Sequence, residues 1–102
     1  MANYRRGRAF EYRVRDFLKK HFCDIVVRSA GSKGEFDLIG IHYATGIVRL
    51  VSCRNKKRWA STEKQKLRLI LKKLPKTGFM IMLVWNERGK IVFEYMAQRE
   101  GY

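Results

Sequence analysis

Apolar residues recur along this chain with two different periods, and the changes of period divide it into elements. Phe10, Val14, Phe17, Leu18 and Phe22 fall at i, i+4, i+7, i+8 and i+12, one stripe of a helix running from about Arg8 to Phe22. Asp24-Ile25-Val26-Val27-Arg28 is rich in β-branched residues and predicts a strand. Ser29-Ala30-Gly31-Ser32-Lys33-Gly34 then has the composition of a turn or loop. Phe36 to Tyr43 and Ile47 to Cys53 read as a second and third strand, joined at Thr45-Gly46 as a hairpin.

Thr62 with Gln65 three residues on suits a capping box, and Leu67, Ile70, Leu71 and Leu74 continue at helical spacing up to Pro75. Lys64, Lys66, Arg68, Lys72 and Lys73 give this second helix a cationic outer face. Phe79 to Trp85 is continuously apolar, as a strand covered on both faces is, and Asn86 to Lys90 turns it into a last strand, Ile91 to Tyr95. The order is αβββαββ, an α/β chain with a central five-stranded sheet. No repeat, low-complexity tract or linker interrupts it, so residues 1–102 read as one domain.

Composition adds a constraint that the pattern lacks. Lys and Arg number 23 against 9 Asp and Glu, a net charge of +14, while 46% hydrophobic and 13% aromatic content is that of a folded body and not of a basic tail. Such a field strains a compact chain through self-repulsion, and a polyanion relieves it. Nucleic acid is the expected partner, ahead of an anionic membrane: no apolar run approaches the ~20 residues that span a bilayer, and the basic start Asn3-Tyr4-Arg5-Arg6-Gly7-Arg8 has no signal-peptide core. The expectation is a cytoplasmic, DNA-associated protein. Cys23 and Cys53 form neither CxxC nor a ligand set with His21 and His42, which argues against structural zinc and a disulfide framework.

In so basic a chain the few acids call for explanation. Asp37 interrupts the apolar run Phe36-Asp37-Leu38-Ile39-Gly40-Ile41, where it is either a divalent-metal ligand or an edge residue facing water or a nearby arginine. Glu35 stands two residues earlier, so strand alternation predicts both carboxylates on one side, a pair of hard oxygen ligands suited to Mg²⁺ or Mn²⁺. Glu11 borders the buried stripe of the first helix; it can reach a site at the sheet edge, or serve as a first-turn acid or partner of Arg15. Ser52 and Arg54 alternate onto one face of the third strand, Arg54 being alternatively the start of a solvated basic run. The 29–34 loop lacks the GxxxxGK[ST] pattern of a P-loop, but its serines, glycines and lysine allow close approach to phosphate. Trp59, Trp85 and Tyr4 are stacking candidates, with core packing the simpler role for Trp85; His21 and His42 read as helix-end and strand-surface residues.

The segments Gly7-Arg8-Ala9-Phe10-Glu11, Val27 to Ile39 with its Arg-Ser-Ala-Gly-Ser run and following Asp, and Val48 to Arg54 together resemble the archaeal Holliday junction resolvases of the PD-(D/E)XK nuclease superfamily. The likeness extends through Gln65. It implies the αβββαββ restriction-endonuclease-like fold and a Mg²⁺- or Mn²⁺-dependent endonuclease acting on branched or duplex DNA in recombination and repair. It also implies an archaeal or viral source and a homodimer, with no small-molecule cofactor and no membrane.

By position, the resemblance makes Asp37 the central metal-binding aspartate and Glu11 the helix acid that helps hold the ion. Ser29 or Ser32 becomes the loop serine near the scissile bond, and Gln65 the second-helix glutamine. The third motif departs: where resolvases have Glu-x-Lys, this chain has Ser52-Cys53-Arg54. A neutral hydroxyl replaces a metal-binding carboxylate, and a permanently charged guanidinium replaces the lysine that positions water. The Cys53 backbone carbonyl and Glu35 are the local substitutes for the missing ligand. DNA contacts are expected from Arg5, Arg6, Arg8, Arg28, Ser29, Ser32, Lys33, Lys56, Lys57, Arg58 and Lys64. The departure opens an alternative, a catalytically inactive nuclease-fold protein that binds structured DNA. A small RNA-binding protein fits the charge but leaves Asp37 and Glu11 without a role.

Overall fold

The computed structural model describes residues 2–29, 35–55 and 59–96, with side chains from residue 8 onward. Helix α1 (Ala2–His21) is followed by strands β1 (Ile25–Arg28), β2 (Leu38–Ile41) and β3 (Val48–Arg54), helix α2 (Ser61–Lys73) and strands β4 (Phe79–Glu87) and β5 (Lys90–Met96). The five strands form one mixed sheet in the order β1-β2-β3-β4-β5. All neighbours pair antiparallel except β3 and β4, which are parallel and joined by the crossover through α2.

Strand alternation divides the core into two layers. On one face α1 presents Phe10, Val14 and Leu18 to Leu38, Val51, Met82 and Val84, with Phe17, Phe22 and Phe93 packed around them. On the other, Leu67 and Leu71 of α2 meet Ile81, Leu83 and Met96, with Leu50 and Trp59 at the border. Consecutive residues of β4 thus enter opposite layers, the physical meaning of its unbroken apolar run.

The boundaries differ from the sequence expectation where polar residues decide them. Helix α1 begins six residues before Arg8, since the packed stripe marks only the part of a helix that touches the sheet and arginine is a good helix former. Strand β2 is shorter than the expected Phe36–Tyr43: Phe36 packs into the α2 layer, and from His42 the chain turns, with Gly46 at φ 72°. Asp24 holds that turn by accepting a hydrogen bond from the Tyr43 N–H at 2.6 Å. Helix α2 is capped at Ala60 and not at Thr62: the Glu63 carboxylate accepts the Ala60 N–H at 2.9 Å, the reciprocal half of a capping box whose other half an alanine cannot make. Between β4 and β5, Arg88 and Gly89 both have positive φ (55° and 86°), the geometry of a two-residue type I′ turn.

One close approach fixes α1 relative to β2. A Cβ built on Gly40 would lie 2.5 Å from the Cys23 sulfur, so the residue just past α1 reaches the sheet only because position 40 has no side chain.

Candidate functional site

Burial of Phe10 and Val14 leaves Glu11 at the margin of the α1–sheet interface, its side chain 20% exposed. Arg28, the last residue of β1, reaches it there: Nε and Nη2 each lie 3.2 Å from Glu11 Oε1, and the guanidinium stacks over the Tyr12 ring at 4.9 Å. Arg28, expected among the DNA contacts, is thereby held by an acid and an aromatic ring.

Asp37 sits immediately before β2 and knits three strands together. Its N–H donates to the Val51 carbonyl at 2.8 Å, its carbonyl accepts the Ser29 N–H at 2.9 Å, and Oδ2 accepts the Cys53 N–H at 2.7 Å. Burial pushes its pKa above the ordinary carboxylate value; the Cys53 hydrogen bond opposes this, the negative charge of Glu11 adds to it and Arg28 subtracts from it. The Cys53 thiol is raised too, by burial first and then by the charges of Asp37 and Glu11. It is therefore a neutral thiol. Asp37 and Cys53 are joined by the backbone N–H hydrogen bond, and Glu11, on α1, is near enough for its charge to act on both.

The remaining carboxylate expected here is placed elsewhere. Glu35 and Asp37 both precede β2, so strand alternation does not govern them. Glu35 instead turns to α2, with Oε1 3.1 Å from Lys66 Nζ, and lines a shallow cleft with Trp59, Glu63, Lys66 and Leu67.

The third motif is absorbed by structure. Ser52 is 1% exposed and donates its hydroxyl to the Glu35 carbonyl at 2.5 Å. Arg54 grips Glu63 with both terminal nitrogens, Nη1 to Oε1 at 2.8 Å, and lies over the Trp59 ring at 4.5 Å. Glu63, which the sequence reading passed over, carries both this ion pair and the α2 cap. Its position three residues after the residue preceding the helix was the available signal.

Among the other expected contacts, Lys64 pairs with Glu94 at 3.0 Å, Gln65 is exposed on α2, Arg8 is exposed on α1 and the Ser29 N–H serves Asp37. Ser32, Lys33, Lys56, Lys57 and Arg58, and the side chains of Arg5 and Arg6, lie outside the described residues. His42 Nδ1 bonds with Thr45 Oγ1 at 3.0 Å and His21 packs on Phe17, structural roles for both. Trp85 is buried, and Trp59 donates to the Val84 carbonyl at 3.3 Å.

Among the described residues no group of three His, Cys, Asp or Glu side chains is disposed to hold a metal ion. Two carboxylates nevertheless suit Mg²⁺ or Mn²⁺, ions that complete their shells with water and substrate phosphate. Among the described residues, Glu11 Oε2 and Asp37 Oδ1 are free of hydrogen bonds, and a cation between them would offset the mutual repulsion that helps raise the Asp37 pKa. No described helix is long and apolar enough to cross a membrane. The chain matches no protein-family model, no curated protein and no solved structure.

Proposed function

We propose that this chain is a divalent-metal-dependent DNA endonuclease of the resolvase type, with a restriction-endonuclease-like fold, in which Glu11 and Asp37 hold Mg²⁺ or Mn²⁺. The observation that carries the reading is the juxtaposition of two acids, one partly desolvated, in a protein of net charge +14. An acid pair that raises the cost of its own ionisation is poor design for stability and good design for a cation. When bound, the metal supplies a lowered water pKa and neutralisation of charge on the phosphate. The chain's own part is positional: Asp37 is fixed by three backbone-linked hydrogen bonds, and Arg28 beside it is a guanidinium that can pass from Glu11 to a phosphate oxygen. The basic surface supplies sequence-independent affinity for DNA, branched or duplex.

A second reading has its own observation. With Ser52 given to the Glu35 carbonyl and Arg54 to Glu63 and Trp59, the third motif is spent on packing, which favours a protein that binds structured DNA without cutting it.

One experiment separates the two. Purified wild type and Asp37→Asn are incubated with four-way-junction and linear DNA in Mg²⁺ and in Mn²⁺, and binding and strand scission are resolved together. Metal-dependent nicking by wild type, lost in Asp37→Asn with binding retained, is the expected result. Binding without nicking in either metal selects the second reading, and nicking unchanged in Asp37→Asn overturns the assignment of the site.

A further inference from the structure

The turn between β4 and β5 is fastened from two sides. Arg88 and Gly89 are its central residues, between Glu87 and Lys90, which face each other in register. The Gly89 N–H donates to Asn86 Oδ1 at 2.7 Å, and Asn86 Nδ2 donates to Asn55 Oδ1 at 3.1 Å, just past the end of β3. From the helix side, Arg13 Nη2 donates to the Gly89 carbonyl at 2.7 Å. The turn is thereby latched to both α1 and the β3 end.

The residue at its tip suits the backbone poorly. Position 88 has φ 55°, where glycine, asparagine or aspartate is the comfortable choice, and it holds an arginine. Arg88 is exposed and, among the described residues, makes no hydrogen bond, ion pair or ring contact. Glu87 and Lys90 are opposite in charge, so the charge left uncompensated at the tip is that of Arg88. A strained, permanently charged fork on a rigid support does nothing for the chain's own packing. It is suited to a contact with an anion outside the chain.

The placement says which anion. Arg13 stands two residues along α1 from Glu11, and Asn55 two residues beyond Cys53, whose N–H holds Asp37. The turn therefore belongs to the same end of the sheet as the acid pair. Register carries Asp37 across β3 to the level of Leu83 in β4, five residues before Arg88, which at about 3.3 Å per residue and 4.8 Å between strands separates the two by about 20 Å. At about 3.4 Å per step, that is about six base pairs of duplex.

We infer that the β4–β5 turn is a backbone anchor for duplex DNA, in which Arg88 grips a phosphate about six base pairs from the one at Glu11 and Asp37 and so sets how far along its axis the duplex lies. The inference rests on the DNA-binding half of the proposed function and not on cleavage. Because the latches already order the turn, the contact forms without ordering it on binding. The guanidinium meets phosphate through two parallel N–H groups and reads no sequence.

The test is fluorescence anisotropy of a DNA duplex over a salt series, in EDTA, with melts to confirm folding. Arg88→Asn is expected to lower the salt slope by about 0.9, hence the affinity about eightfold at about 0.1 M salt, while its Tm is at least that of the wild type. Arg88→Lys is expected to keep the slope. Arg68→Asn removes the same charge from the exposed side of α2, across the sheet, and is expected to change affinity less than about twofold. Asn86→Ala changes no charge but frees the turn; it is expected to weaken binding when Arg88 is present and not in the Arg88→Asn background. An Arg88→Asn protein that binds as well as Arg68→Asn, or an Asn86→Ala loss equal in both backgrounds, overturns the anchor while leaving the DNA reading in place. A wild type that binds no duplex, or binds double-stranded RNA of the same sequence more tightly, overturns both.

Discussion

Glu63 is the residue whose removal tests most of the arrangement around the third motif. Its Oε1 accepts from the Ala60 N–H at 2.9 Å and from Arg54 Nη1 at 2.8 Å, while Oε2 meets the other guanidinium nitrogen. Glu63→Ala strips the start of α2 of its side-chain acceptor, worth about 1 kcal/mol. It also breaks an ion pair about a third exposed, which after solvent screening is worth about 0.2–1 kcal/mol. Together these come to about 1–2 kcal/mol, and for a domain of this size each kcal/mol lowers Tm by about 4–8 °C. Glu63→Gln keeps an acceptor for Ala60 and loses the charge, so it should fall about halfway.

The functional arm uses the same variants. Freed from Glu63, Arg54 becomes available to phosphate, and the slope of log K against log salt for duplex DNA should steepen by about 0.9. Thermal melts followed by circular dichroism, fluorescence anisotropy over a salt series, and a double-mutant cycle with Arg54→Ala measure the three quantities. A Glu63→Ala protein with the wild-type Tm, or a cycle with no coupling to Arg54, would refute the claim that this motif serves the packing of α2.

Three further outcomes follow from the structure. Burial raises the Asp37 pKa above its unfolded value, so the ionised group costs stability once pH rises through that raised value and costs none below the ordinary carboxylate range. Asp37→Asn should therefore melt above wild type at neutral pH, with the gap closing in acid, and Mg²⁺ should raise the wild-type Tm and not the variant's. Gly40→Ala sets a methyl 2.5 Å from the Cys23 sulfur and should cost about 1–3 kcal/mol by denaturant titration, partly recovered by adding Cys23→Ala. Arg88→Asn gives the type I′ turn a residue that tolerates φ 55° and should raise stability by about 0.5 kcal/mol in the same assay.

Periodicity alone revealed the architecture: the stripe at Phe10, Val14 and Leu18 and the unbroken run of β4 identify a helix layer on each side of a sheet. The boundaries were less legible, because Asp24, Asp37 and Glu63 end or begin elements through hydrogen bonds to backbone groups distant in sequence. Of the candidate site, the two acids themselves were legible, Glu11 at the rim of a buried stripe and Asp37 beside an apolar run. The fate of Glu35, Ser52 and Arg54 was not, for it depends on which side of the sheet α2 covers and on where β2 starts, facts of three-dimensional register that no local spacing encodes.

The strands lie side by side in the order in which the chain makes them, and this shapes the route to the native state. Hairpins β2–β3 and β4–β5 can zip from their own turns, and β1 needs only the loop behind it. Joining β3 to β4 is different, because the two run the same way and α2 must already span the gap. The search for that alignment is the step expected to set the folding rate, because its contacts are the most distant along the chain. Substitutions at Leu67 or Leu71, which seat α2 on β4, should slow refolding more than equally costly ones on β1.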